Sequence, residues 1–126
     1  MIRRTLAALL LVALTPTAGH ATSGYGCYRV NTPPSDPLNI RAQPSARSSV
    51  VAVANSANAP IIALLGVGRG EGIEPTLDDV RTTESAVCTP HNVALGSRWC
   101  PVAVYAGGGS VEGWLKRRFV DYSECP

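Results

Sequence analysis

Apolar and polar residues alternate along most of the chain in short stretches of period two, and clusters of turn residues separate them, a pattern that specifies β-strands. Leu38-Asn39-Ile40-Arg41 is the clearest stretch; Leu38 and Ile40 should face a core while Asn39 and Arg41 face outward. Val50 to Ala54 and Ile61 to Leu65 are runs rich in β-branched residues on either side of Asn55-Ser56-Ala57-Asn58-Ala59-Pro60, and they predict two neighbouring strands joined by a turn. Trp99 to Tyr105 and Val111 to Leu115 predict a hairpin connected through Ala106-Gly107-Gly108-Gly109-Ser110. Tyr28-Arg29-Val30 is a shorter strand, stopped by Asn31 to Pro37, where three prolines remove backbone donors and hold the chain in a surface loop. Phe119-Val120 resumes the pattern near the end. From Gly66 to Val87 the chain is first glycine-rich, then acidic and polar, with Pro75 and little periodicity. It predicts a long loop or inserted lobe, with room for a short helix around Leu77 to Arg81. The expected class is all-β.

The first residues follow a different logic. Arg3 and Arg4 precede an unbroken apolar run from Leu6 to Leu14, and Gly19-His20-Ala21 sets small residues at a cleavage site; together these predict an export signal over residues 1–21. Thr15-Pro16-Thr17 ends the run well short of the ~20 apolar residues a spanning helix needs, so no stable membrane insertion is expected once the signal is removed. Cleavage after Ala21 leaves 105 of the 126 residues, enough for one domain over 22–126 with a modest core. Without Arg3 and Arg4 the 11 basic residues fall to nine, against nine acidic ones. That balance argues against nucleic acid as a partner, because phosphate-binding surfaces gather many cations on one face. The triplet Lys116-Arg117-Arg118 is short enough to be a solvated strand end.

Little in the remainder suggests catalysis. His91, between Pro90 and Asn92, is the sole histidine of the expected mature chain, and no carboxylate lies beside it in sequence to orient it as a base. Asp78, Asp79, Glu74 and Glu84 lack the calcium-loop spacing and should keep a loop soluble. Gly66-Val67-Gly68-Arg69-Gly70 lacks the lysine of a phosphate loop and should be a flexible linker. Cys88, His91 and Cys100 fit no standard zinc module. The expected domain therefore carries no metal and no cofactor, and is not an enzyme. Cys27, Cys88, Cys100 and Cys125 all follow the export signal, so two disulfides are expected; four cysteines allow three pairings. Surface recognition remains. Trp114, Trp99, Tyr105, Tyr28 and Tyr122 are the large amphipathic side chains available for a binding surface. Alternation turns Trp114 outward beside core-facing Leu115, which makes it the first candidate contact residue, with outward-facing Arg41 as another.

Leu38-Asn39-Ile40-Arg41-Ala42-Gln43-Pro44-Ser45, then Ser48-Ser49-Val50-Val51, and at the far end Gly113-Trp114-Leu115-Lys116-Arg117-Arg118-Phe119-Val120 resemble the opening and closing stretches of the bacterial SH3-like domain family. Arg98-Trp99-Cys100-Pro101-Val102 is similar to the tryptophan-bearing strand of its cysteine-containing subset. The resemblance implies a small, disulfide-stapled SH3-like barrel of about five strands, here with a long insertion around 66–97. In such a barrel the first and last strands lie close together, which implies the pairs Cys27–Cys125 and Cys88–Cys100. It also implies an exported, periplasmic or secreted binding module that recognises peptidoglycan, through a cell-wall peptide or glycan, or another envelope component. The alternative is a protein-binding factor, such as an inhibitor of a wall-degrading enzyme or a host-adhesion protein. Its insertion would carry the contacts, so deleting residues 70–86 should leave the barrel folded.

Overall fold

A computed structural model describes residues 24–68 and 72–126; the expected export signal and part of the glycine-rich stretch lie outside them. Seven strands form one antiparallel sheet in the order β3-β2-β6-β5-β4-β1-β7. They are β1 (Tyr25–Val30), β2 (Leu38–Arg41), β3 (Val50–Ala54), β4 (Ile61–Leu64), β5 (Trp99–Ala106), β6 (Gly109–Lys116) and β7 (Val120–Glu124). The sheet curls into a half-barrel around its core. The strand count exceeds the expected five because both terminal segments are full ladder members, β1 pairing with β4 on one side and β7 on the other.

The alternating pattern sets the inner face. Leu38, Ile40, Ile62, Leu64, Val102, Val104, Leu115 and Val120 are buried and pack together, whereas Asn39, between Leu38 and Ile40, and Ile61, just before Ile62, are exposed. Each such side chain withdrawn from water contributes about 1.5–3 kcal/mol. Gly107 and Gly108 both take positive φ, 60° and 82°, as a tight turn matched to strand twist requires. Counting outward from Ala106 opposite Gly109 places Trp99 opposite Lys116. Gly26 also has a positive φ, 122°, at the irregularity between Tyr25 and Cys27 where β1 changes register against β7.

β2 meets β6 at Arg41 opposite Trp114, and the approach is close enough to demand glycine beside it. A Cβ on Gly113 would lie 2.6 Å from Ile40 Cγ2, 2.8 Å from the Arg41 carbonyl oxygen and 2.8 Å from Val51 Cγ2. Gly113→Ala should therefore destabilise the domain by about 1–3 kcal/mol through overpacking. Thermal unfolding checks it, and an unchanged midpoint would show that β2 and β3 can move aside.

The described residues between Gly66 and Ser97 hold more regular structure than expected. They include α1 (Leu77–Val87), 11 residues long, and a 3₁₀ turn at Leu95–Ser97. Thr76 caps α1: its hydroxyl accepts from the Asp79 N–H at 3.1 Å, and the Asp79 carboxylate accepts from the Thr76 N–H at 2.8 Å. Val80 and Glu84, one turn apart, are fully buried against the sheet. Deleting 70–86 would strip both from the interior, so α1 contributes to the core and is not a detachable lobe.

Candidate ligand-binding groove

Both disulfides join the expected partners, Cys27 with Cys125 and Cys88 with Cys100, and no cysteine is free. Such bridges belong to an oxidising, extracytoplasmic environment. The second one also places a tryptophan. Next to it, Thr89 and Trp99 exchange backbone hydrogen bonds at 2.9 and 2.7 Å, fixing where β5 starts. Opposite Trp99, the Lys116 ammonium sits 4.8 Å from the centre of the indole ring, a cation–π contact. Arg98 braces the preceding loop by donating to the carbonyls of Val93 (2.9 Å) and His91 (3.0 Å).

β6 then gives way to a 3₁₀ turn, Arg117–Phe119, and the basic triplet divides. Arg117 turns into the core, while Lys116 and Arg118 line a surface groove. The Arg118 guanidinium lies 5.0 Å from the Phe119 ring centre. The proline-rich loop forms the facing wall and is tied to this turn through Asn31. The Asn31 backbone N–H donates to the Phe119 carbonyl (2.9 Å), and its side-chain amide donates to the Arg118 carbonyl and the Asp121 carboxylate, both at 3.1 Å. Within the loop the Asp36 N–H donates to the Pro33 carbonyl at 2.9 Å. Arg41 completes the groove, one guanidinium nitrogen donating to the Ser48 carbonyl at 2.9 Å.

The resulting groove measures about 380 Å³ and has Trp99, Phe119, Arg41, Lys116, Arg118 and Asp36 among its lining residues. Its size falls in the range of ligand sites, and so does its chemistry, an apolar surface with a few placed polar groups. Thr32 also lines it; its hydroxyl is the one buried side-chain polar atom without a hydrogen-bond partner among the described residues.

Of the residues expected at a binding surface, Trp99 and Arg41 come together here. Trp114 is half-buried, set between Pro101 and Arg41 in the ladder, and it does not line this groove. Tyr105 is exposed at the opposite end of β5, across from Ile61. Tyr28 is 3% exposed and belongs to the core, because its position on β1 faces α1. Lys116, Arg118, Phe119, Asp36 and Thr32 escaped the sequence reading. The hairpin register was the available signal for Lys116, since the two-glycine turn fixes its position opposite Trp99.

Beneath the turn lies a buried polar cluster that the sequence reading also missed. Glu84 was expected to keep a loop soluble; instead its carboxylate is fully buried. It accepts hydrogen bonds from the Tyr28 hydroxyl, from Arg117 Nε at 2.6 Å and from the Tyr122 hydroxyl at 2.6 Å. Arg117, 8% exposed, also donates to the Val120 carbonyl at 2.6 Å and lies 4.5 Å from the Tyr122 ring centre and 5.0 Å from that of Tyr28. Burial, and then hydrogen bonding to Glu84, push the Tyr28 hydroxyl well above its ordinary pKa. Burial works against the charge of Arg117, but hydrogen bonds to Glu84 and Tyr122 and the Glu84 charge outweigh it and hold the guanidinium above its usual value. Both Glu84 oxygens are engaged within the cluster by residues of β1, β7 and the turn, so its role is to dock α1 on β1 and β7 under the groove-forming turn.

His91 is exposed and donates through Nε2 to the Ala86 carbonyl at 3.0 Å, near the end of α1. No group of three or more His, Cys, Asp or Glu side chains suited to a metal ion occurs among the described residues. Compared with models of known families, with curated proteins and with solved structures, the chain gives no match in any of the three.

Proposed function

We propose that this chain is an exported, non-catalytic recognition domain of the bacterial SH3-like type, periplasmic or secreted, that binds peptidoglycan or another envelope polymer. One observation carries the reading: the groove in which Trp99 and Phe119 supply apolar surface and Arg41, Lys116, Arg118 and Asp36 supply charge. Support for export comes from the apolar leader and the two disulfides. Rigid anchoring of both groove walls lowers the ordering cost of binding.

Purified sacculi should retain the domain, and Trp99→Ala should lower retention about tenfold or more, as truncation of a buried aromatic contact does. Trp114→Ala is the comparison, since that side chain lies outside the groove. Equal retention of wild type and Trp99→Ala would refute this site. A protein partner is the second reading, favoured by Ile61 and Tyr105, cross-strand neighbours that are 42% and 47% exposed. Failure of sacculi to retain the domain, together with capture of an envelope protein that Tyr105→Ser abolishes and Trp99→Ala leaves intact, would move the site to that end of the sheet.

A further inference from the structure

The groove carries an uneven set of charges, three cations and one carboxylate. The ion pairs among the described residues are Arg81 with Asp78 and Arg117 with Glu84, so Arg41, Lys116 and Arg118 have no carboxylate partner there. Lys116 and Arg118 are instead held over aromatic rings, which positions a cation without neutralising it. The excess is local, because basic and acidic residues beyond Ala21 are equal in number. A local excess on an aromatic floor differs from the broad positive surface that polyanions select. Asp36 sharpens the distinction. A carboxylate in the wall repels a ligand of uniform negative charge, yet it pairs with an amine.

We infer that the groove recognises an amphoteric peptide, its carboxylates meeting Lys116 and Arg118, its free amine meeting Asp36, and its aliphatic portion lying on Trp99 and Phe119. Arg41, with one nitrogen already committed to Ser48, offers its remaining donors to the same carboxylates. The inference rests on the wall-binding reading and narrows it to the peptide component of the wall rather than the glycan strand.

Chemical modification of purified sacculi tests it without touching the protein. Carboxyl groups are converted to amides with carbodiimide and ammonium chloride, amines are acetylated with acetic anhydride, and phosphodiester-linked polymers are stripped with hydrofluoric acid. Retention of the wild-type domain should fall tenfold or more on amidated sacculi and several-fold on acetylated ones, and should be unchanged after hydrofluoric acid. Lys116→Gln with Arg118→Gln should bind native sacculi weakly and lose sensitivity to amidation. Asp36→Asn should lose sensitivity to acetylation. Undiminished retention on amidated sacculi would overturn the peptide inference while leaving wall binding intact. Loss of retention only after hydrofluoric acid would overturn it in favour of a phosphate polymer. Absence of wild-type retention on native sacculi would overturn both readings.

Discussion

Replacing Glu84 with alanine should cost the domain about 3–5 kcal/mol of stability, the penalty for leaving a buried charge without its partner. Arg117 would keep its guanidinium in the interior with no carboxylate, and the hydroxyls of Tyr28 and Tyr122 would lose the acceptor they share. Against the ~5–15 kcal/mol by which small domains are folded, such a loss leaves little reserve. The conservative Glu84→Gln keeps the shape and an acceptor and should cost less. Glu84→Leu combined with Arg117→Leu should be less destabilised than the sum of the two single changes, because the desolvation penalty of both ions disappears together. Urea denaturation of the four proteins measures this coupling, and strict additivity would show that the two side chains act independently. Alkaline pH probes the same cluster. The Tyr28 hydroxyl is raised above its ordinary value of 10.0, first by burial and then by its hydrogen bond to Glu84. The folded protein thus keeps a proton that the unfolded chain releases. Its stabilising contribution is complete below pH 10 and declines as the pH rises further. The urea midpoint should fall above pH 10, and Tyr28→Phe should flatten that fall; an identical alkaline decline in the variant would assign the titration to another group.

The same cluster explains why the sheet was legible in the sequence while the helix was anticipated only around Leu77 to Arg81, short of its full run to Val87. A strand with one buried face announces itself through alternation, and Leu38-Asn39-Ile40-Arg41 has no competing interpretation. The buried face of α1 contains Val80 and Glu84, flanked by half-buried Leu77, Thr83 and Val87. A carboxylate at the centre of that face interrupts the apolar stripe that marks a helix. Its partner lies 33 residues away, inside the basic triplet, and sequence spacing does not bring them together. The helix start was nevertheless written out, as Thr76 followed three residues later by Asp79, the reciprocal cap seen in the structure.

The groove was legible by halves. Trp99 and Arg41 stand out as residue types, and alternation correctly sets Arg41 away from the core. Alternation continues through Lys116-Arg117-Arg118, with Arg117 buried two residues after Leu115 and Lys116 and Arg118 turned outward; it was not legible there because an arginine at an inward position gives no apolar signal. Trp114 illustrates the opposite limit. It does alternate with buried Leu115, but outward on this sheet means between Pro101 and Arg41, where cross-strand packing covers much of it. A residue's facing follows from local pattern; whether a groove lies in front of it depends on which loops arrive from elsewhere. Here the arriving loop is Asn31 to Pro37, docked by hydrogen bonds to residues 87 and 90 positions away.

The two disulfides should be separable by experiment, one acting mainly on stability and the other mainly on binding. Cys27–Cys125 spans 98 residues and Cys88–Cys100 spans 12. In the chain-entropy account, closing loops of these sizes restricts the unfolded state by about 4.7 and 3 kcal/mol respectively. Cys27→Ser with Cys125→Ser should therefore be the more destabilised pair. It also frees the outer end of β7, which among the described residues is an edge strand paired with β1 alone. Cys88→Ser with Cys100→Ser should lose less stability but more affinity, because that bridge adjoins the Thr89–Trp99 hydrogen bonds that set the groove tryptophan. Denaturant unfolding ranks the stabilities, and retention on sacculi at a temperature where both variants remain folded ranks the binding. If the long-loop variant proves the more stable of the two, chain entropy is not what this bridge contributes. If both variants bind as well as wild type, Trp99 is held by the sheet alone, and the short bridge serves only to fasten the end of α1 to β5.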